Sequence, residues 1–335
     1  MMLDYQKICS KLLEDLPSKQ REVILRRFGL ESGEKETLQK IGENFGVTRE
    51  RVRQIENEGF LRLKKEKDYL KKVFFCFSNF LEGSGGLKRE DILLENLGGQ
   101  HFQNYVYFLL HLEESFYRFS ETQDVYPFWT LEKDIEQRLK EALEKVITQL
   151  QKEQKPISRE SLINLANNQS SQFFFSSLEI AKTIEKGPLG NFGLVSWSEI
   201  KPKGVKDMAY LALKKEGKPL HFREIAKVAS SLNGNFAKRK EILPQTVHNE
   251  LIRDERFVLV GRGIYGLKDW GYMPGSVKDI ISDILRESKE ALEREEIIER
   301  VKEQRFVKYN TILLNLGNKD YFSKDSQGRY QIKNI

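Results

Sequence analysis

The chain has 335 residues, 39% hydrophobic and 32% charged, with a net charge of +6; that is enough for several modest cores and too polar for a membrane protein. Two cysteines, Cys9 and Cys76, and four histidines, His101, His111, His221 and His248, supply neither a disulfide framework nor paired metal-ligand spacing, so no metal or other cofactor is expected. The opening MMLDYQKICSKL lacks the apolar core of a signal peptide and VFFCF (73–77) is far short of a membrane span, which points to a cytoplasmic protein with no membrane partner.

The charge is unevenly spread: +2 over residues 1–68, −4 over 69–200, +7 over 201–271 and +1 over 272–335. The first and third stretches suit phosphates; the second repels them.

From Leu16 to Lys65 helix punctuation is dense. Pro17 suits a first turn, and Val23, Ile24 and Phe28 recur at helical spacing before Gly29. After ESGEKE, Thr37 is an N-cap for a short helix with Leu38, Ile41 and Phe45 on one stripe, ended by Gly46. Thr48 then caps a further helix. Two short helices with a Gly-containing turn, and Gly42 small enough for close approach, make a helix-turn-helix. Val52 and Ile55 anchor its second helix. Arg49, Glu50, Arg53 and Gln54 are therefore expected on the side that enters a major groove, where Arg forks to guanine and Glu accepts from the cytosine amine. Arg51 lies off that side and meets a phosphate or solvent.

The stretch carrying RRFGL and TLQKIGENFGVTRERVRQIE resembles region 4 of the sigma-70 family of bacterial transcription initiation factors. The resemblance implies that Arg49, Glu50, Arg53 and Gln54 read a minus-35 promoter element, with Arg27, Thr37 and Thr48 near its phosphates. It also implies docking on the β flap of RNA polymerase, through Leu16, Val23, Ile24 and Phe28, residues equally needed to close a core. Only fifteen residues precede Leu16, so a complete sigma factor with its promoter-melting region is not expected.

Past Lys72 a repeat of about 63 to 72 residues emerges: GLKREDIL (86–93), PISRESLI (156–163), PLHFREIA (219–226) and ALEREEII (291–298). Aligned without gaps, Leu87, Ile157, Leu220 and Leu292 coincide, as do Ile92, Leu162, Ile225 and Ile297. An amphipathic helix precedes each core, a second helix follows it, and strand-like residues close each unit: SFYRFS and YPFWTL, FGLVSWSEI, RFVLVGRGIYGLKDW, and YFSKDSQGRYQI. Three helices and a β-hairpin is the winged-helix plan. The expected fold is thus mainly α: a helix-turn-helix domain over 1–68, then tandem winged-helix units over 69–133, 134–203, 204–271 and 272–335.

The third unit, with PLHFREIA, FVLVGRGIYGL and Trp270, resembles the HARE-HTH domain, a winged helix found in the delta subunit of some bacterial RNA polymerases and beside restriction and chromatin enzymes. It is also the most basic unit. Lys238, Arg239 and Lys240 form one cluster, and Arg262, held between Gly261 and Gly263, could reach a phosphate. The first two units, acidic and aromatic-rich, read as spacers or protein-binding modules.

A nucleophile elbow, a phosphate-binding loop, metal-binding His pairs and a nuclease-like carboxylate cluster are not recognisable, so no enzyme is expected. The leading expectation is a transcription protein that binds double-stranded promoter DNA, with RNA polymerase as a partner. The alternatives are a delta-like accessory subunit of the polymerase acting by protein contacts and a DNA-binding partner of a restriction system.

Overall fold

A computed structural model describes residues 3–64, 67–166, 170–232 and 241–333. The chain forms two compact units, Met1–Glu185 with Phe192–Val195, and Lys186–Asn191 with Ser196–Ile335. No described helix is long and apolar enough to cross a membrane.

The first unit opens with α1 (Tyr5–Glu14), α2 (Ser18–Phe28), α3 (Leu38–Phe45) and α4 (Arg49–Leu63). Their boundaries follow local chemistry. Pro17 stands at the N-cap of α2, and Gly29 ends that helix in the left-handed region; Thr37 and Thr48 cap α3 and α4 by accepting the amides of Lys40 and Arg51. Val23, Ile41, Val52 and Ile55 make a small core that Leu38, Phe45 and Val47 border.

Beyond it α5 (Lys67–Gly83), β1 (Leu87–Arg89), α6 (Glu90–Gly98), α7 (Gln103–Leu110), β2 (Tyr117–Phe119) and β3 (Phe128–Thr130) form a winged helix with sheet order β1-β3-β2. It shares one large core with the helix-turn-helix. Tyr5, Leu12, Leu16, Ile24 and Phe28 from one side and Phe77, Leu93, Phe108, Leu109 and Trp129 from the other belong to the same buried cluster. Pooling apolar area in this way helps two modules that are each too small to bury much alone. The second winged helix has α8 (Glu136–Glu153), α9 (Arg159–Ala166), α10 (Ser171–Ile180), β4 (Ile184–Lys186) and β5 (Phe192–Leu194).

The second compact unit carries α11 (Val205–Glu216), β6 (Leu220–His221), α12 (Phe222–Leu232), α13 (Pro244–Arg253), β7 (Phe257–Gly261) and β8 (Ile264–Leu267), with sheet order β6-β8-β7. After these come α14 (Val277–Ser288), α15 (Arg294–Gln304), α16 (Tyr309–Leu316), β9 (Phe322–Lys324) and β10 (Tyr330–Ile332). Arg305 ties these two winged helices together: it is buried, and its guanidinium donates to the carbonyls of Met273, Gly275 and Gln304.

The repeat is visible in the pairing. Leu87, Ile157, Leu220 and Leu292 each sit antiparallel to a residue of the last strand of their unit: Thr130, Phe192, Tyr265 and Tyr330. The ungapped alignment fails five residues later. Leu162, Ile225 and Ile297 are fully buried, but in the first unit the buried residue is Leu93, and Ile92 is half-exposed. The cause is a three-residue β1, which delays the start of α6 by one position.

Candidate nucleic-acid interface

The helix-turn-helix is held at a fixed angle by one tight contact. A Cβ on Gly42 would lie 2.7 Å from the carbonyl oxygen of Val47, so only glycine lets α3 approach the turn this closely, while Gly46 turns the chain with φ of 64°. Val52 and Ile55 point inward and are buried; Arg49, Glu50, Arg53 and Gln54 are all exposed. The expected polar face is therefore formed.

Its side chains are already organised. Both oxygens of Glu50 accept from Arg53, at 2.9 and 2.6 Å, a bidentate i,i+3 pair. Arg53 holds the Glu50 carboxyl below the usual carboxylate range, and Glu50 in turn raises Arg53. Arg51 donates to the side-chain oxygen of Gln54 at 3.0 Å and lies 3.8 Å from Glu58. Arg51 thus orients Gln54, a role that sequence spacing had not assigned to it. Arg49 has no hydrogen-bond or ion-pair partner among the described residues. The arrangement offers one unpaired cation, one acceptor–donor couple and one oriented amide to base edges.

Around this face Thr37 and Thr48 keep hydroxyl protons free for a phosphate while their oxygens cap helices. Arg27 is more enclosed: it donates to the Glu36 carbonyl at 3.2 Å and stands 3.5 Å from Glu56. Burial pushes the Glu56 carboxyl up, against the pull of Arg27. Arg27 therefore stitches α2 to the approach to α3 and to α4.

Leu16, Val23, Ile24 and Phe28, expected as a polymerase-docking surface, are 4%, 0%, 0% and 5% exposed. Phe28 makes edge contacts with Phe108 at 5.2 Å and His111 at 5.7 Å. The first winged helix covers these residues, so in this structure they are core and present no surface.

In a winged helix the third helix normally enters a groove. In the first two units it is consumed inside the chain. Val106, Phe108, Leu109 and Leu110 of α7 and Phe173, Phe174, Leu178 and Ile180 of α10 are buried, and Ser176 donates to the Ser84 carbonyl at 2.7 Å. In the third unit α13 stays open: Gln245, Thr246, Asn249 and Arg253 are exposed over a buried Val247 and Leu251. Sequence reading missed this polar face, although Pro244 opening a helix with Val247 and Leu251 four apart was the available signal. Arg262 is exposed at the hairpin tip. Gly263 carries the positive φ there, whereas Gly261 is small because a Cβ would meet Phe306 at 2.9 Å. Lys238, Arg239 and Lys240 lie outside the described residues. Among the described residues no group of His, Cys, Asp and Glu could hold a metal ion.

Residues 12–65 match the family model "Sigma-70, region 4", and residues 204–270 match the HARE-HTH model, a "restriction endonuclease HTH domain" by its description. "RNA polymerase sigma factor sigB" of Arabidopsis thaliana is 53% identical over 57 residues, 17% of this chain and 10% of that protein. "RNA polymerase sigma factor SigA" of Clostridium acetobutylicum is 44% identical over 66 residues, 18% of each. The chain thus spans less than a fifth of the length of these relatives. It joins a helix-turn-helix module related to region 4 of sigma-70 factors to a HARE-HTH winged helix.

Proposed function

We propose that this is a non-catalytic, cytoplasmic transcription protein that binds double-stranded promoter DNA through α3 and α4 and reads a minus-35-like element with Arg49, Glu50, Arg53 and Gln54. The observation that carries the reading is the exposed, pre-paired polar face of α4, standing on Val52 and Ile55. Thr37, Thr48 and, less openly, Arg27 flank it as phosphate contacts, and the third unit adds Arg262 and the Lys238–Arg239–Lys240 cluster without reading sequence. RNA polymerase is the proposed protein partner, supported by the names of the sigma-factor relatives. A β-flap contact through Leu16, Val23, Ile24 and Phe28 would require the first winged helix to move away.

Mapping of bound sites across the host genome, with polymerase occupancy measured alongside, tests the reading. Promoter-proximal sites sharing a minus-35-like element are expected; sites scattered without a common element would defeat it.

A second reading, an accessory polymerase subunit acting by protein contacts, is favoured by the burial of α7 and α10. It requires copurification with polymerase to survive joint loss of Arg49, Glu50 and Arg53.

A further inference from the structure

We propose that the fourth winged helix is a docking site for an extended acidic segment of a protein partner, which adds along the free edge of β9 and seats an apolar side chain against Leu316, Phe322 and Tyr330. β9 pairs with β10 on one side, and among the described residues no strand pairs with its other side. The corresponding edge in the third unit is already extended: Phe306 pairs in parallel with Gly261, and its N–H donates to the Val260 carbonyl at 2.6 Å. That winged-helix edge accepts an added extended segment, and the fourth unit leaves the same edge open.

Charge and shape specify the segment. Beside β9 lies a pocket of about 390 Å³ whose lining combines Leu316, Phe322 and Tyr330 with three lysines, Lys319, Lys324 and Lys333. The lining holds no acidic residue. None of the three lysines forms an ion pair among the described residues, although the neighbouring Arg329 is paired with Asp325 at 2.9 Å. Lys324 rests 4.8 Å over the Tyr330 ring, and Lys333 donates to the Lys319 carbonyl at 3.2 Å. Three like charges round one apolar hollow repel one another until carboxylates arrive, and the hollow rewards an apolar side chain between them. A DNA backbone would satisfy the lysines and leave the hollow unfilled, which favours a peptide.

The test uses the full chain and a fluorescein-labelled peptide alternating Glu with Leu, followed by anisotropy. Saturable binding is expected, weakened about tenfold or more when Leu is changed to Ser or Glu to Gln, and lost in the joint variant Lys319→Glu, Lys324→Glu, Lys333→Glu. The corresponding Lys→Arg variant should bind, and the Lys324 amide should gain hydrogen-exchange protection when peptide is present. Should the triple Glu variant not fold, Lys324→Gln with Lys333→Gln must give an intermediate loss. Equal binding by wild type and charge variants, no binding of the peptide, or loss of random duplex binding alone in those variants would overturn the proposal.

Discussion

Arg53 reaches a base only by loosening its two bonds to Glu50, so the two residues act as one reading unit. Replacing either by Ala should weaken binding to a preferred duplex by about 1 to 3 kcal/mol and relax sequence preference at the contacted pair. The joint variant should lose clearly less than the sum, because the first change already breaks the couple; losses that add within about 0.5 kcal/mol would show independent residues. Both partners are exposed, so the pair itself adds little to folding stability, and thermal melting of the variants should stay near wild type. The residues of this face were legible in the sequence because Val52 and Ile55 fix which way the helix turns. The pairing within the face was less so, since several charges at three- and four-residue spacing allow more than one partner.

Helix ends are the elements that sequence reported best. Thr37, Gly46 and Thr48 act on backbone groups within four residues of themselves, so their roles depend on nothing distant. Gly42→Ala is expected to destabilise the helix-turn-helix and lower duplex affinity, because its methyl would collide with the Val47 carbonyl rather than with a mobile side chain; an unchanged melting temperature would contradict that contact. The joint between helix-turn-helix and first winged helix was not legible: Phe28 meets Phe108 and His111, partners some eighty residues downstream, and no local pattern encodes them. His111 makes this joint acid-sensitive. Burial holds its imidazole below the usual value near 6.5, against a hydrogen bond to the Tyr107 carbonyl, with Arg118 and Lys35 lowering it further and Glu90 raising it. The folded form therefore binds fewer protons than the unfolded form, and stability present above about pH 6.5 is lost as pH falls through and below that value. Melting of wild type at pH 7.5 and 5.5, compared with His111→Gln, should show a smaller acid loss in the variant; equal losses would clear His111 of the effect. Register, too, escaped the sequence at one point, where the longer β1 moves burial from Ile92 to Leu93.

Taken as a whole molecule, the chain sets its exposed reading helices apart from winged helices that serve as structure. The repeat showed in the sequence because each unit needs the same few anchors, but which third helices stay open depends on packing between units. Net charge follows that division, −4 over residues 69–200 and +7 over 201–271. Duplex affinity should fall steeply with salt, and Arg262→Gln should lessen the slope of log affinity against log salt by about one while leaving sequence preference intact; an unchanged slope would remove the hairpin tip from the interface. The central claim is that the α4 face reads sequence, and selection of bound duplexes from a random pool by the full chain tests it most directly. The account predicts that wild type enriches one element resembling a minus-35 sequence and that Arg53→Ala, folded to the same extent, enriches a degenerate one. Recovery of the same element by both proteins, or of none by wild type, would contradict it.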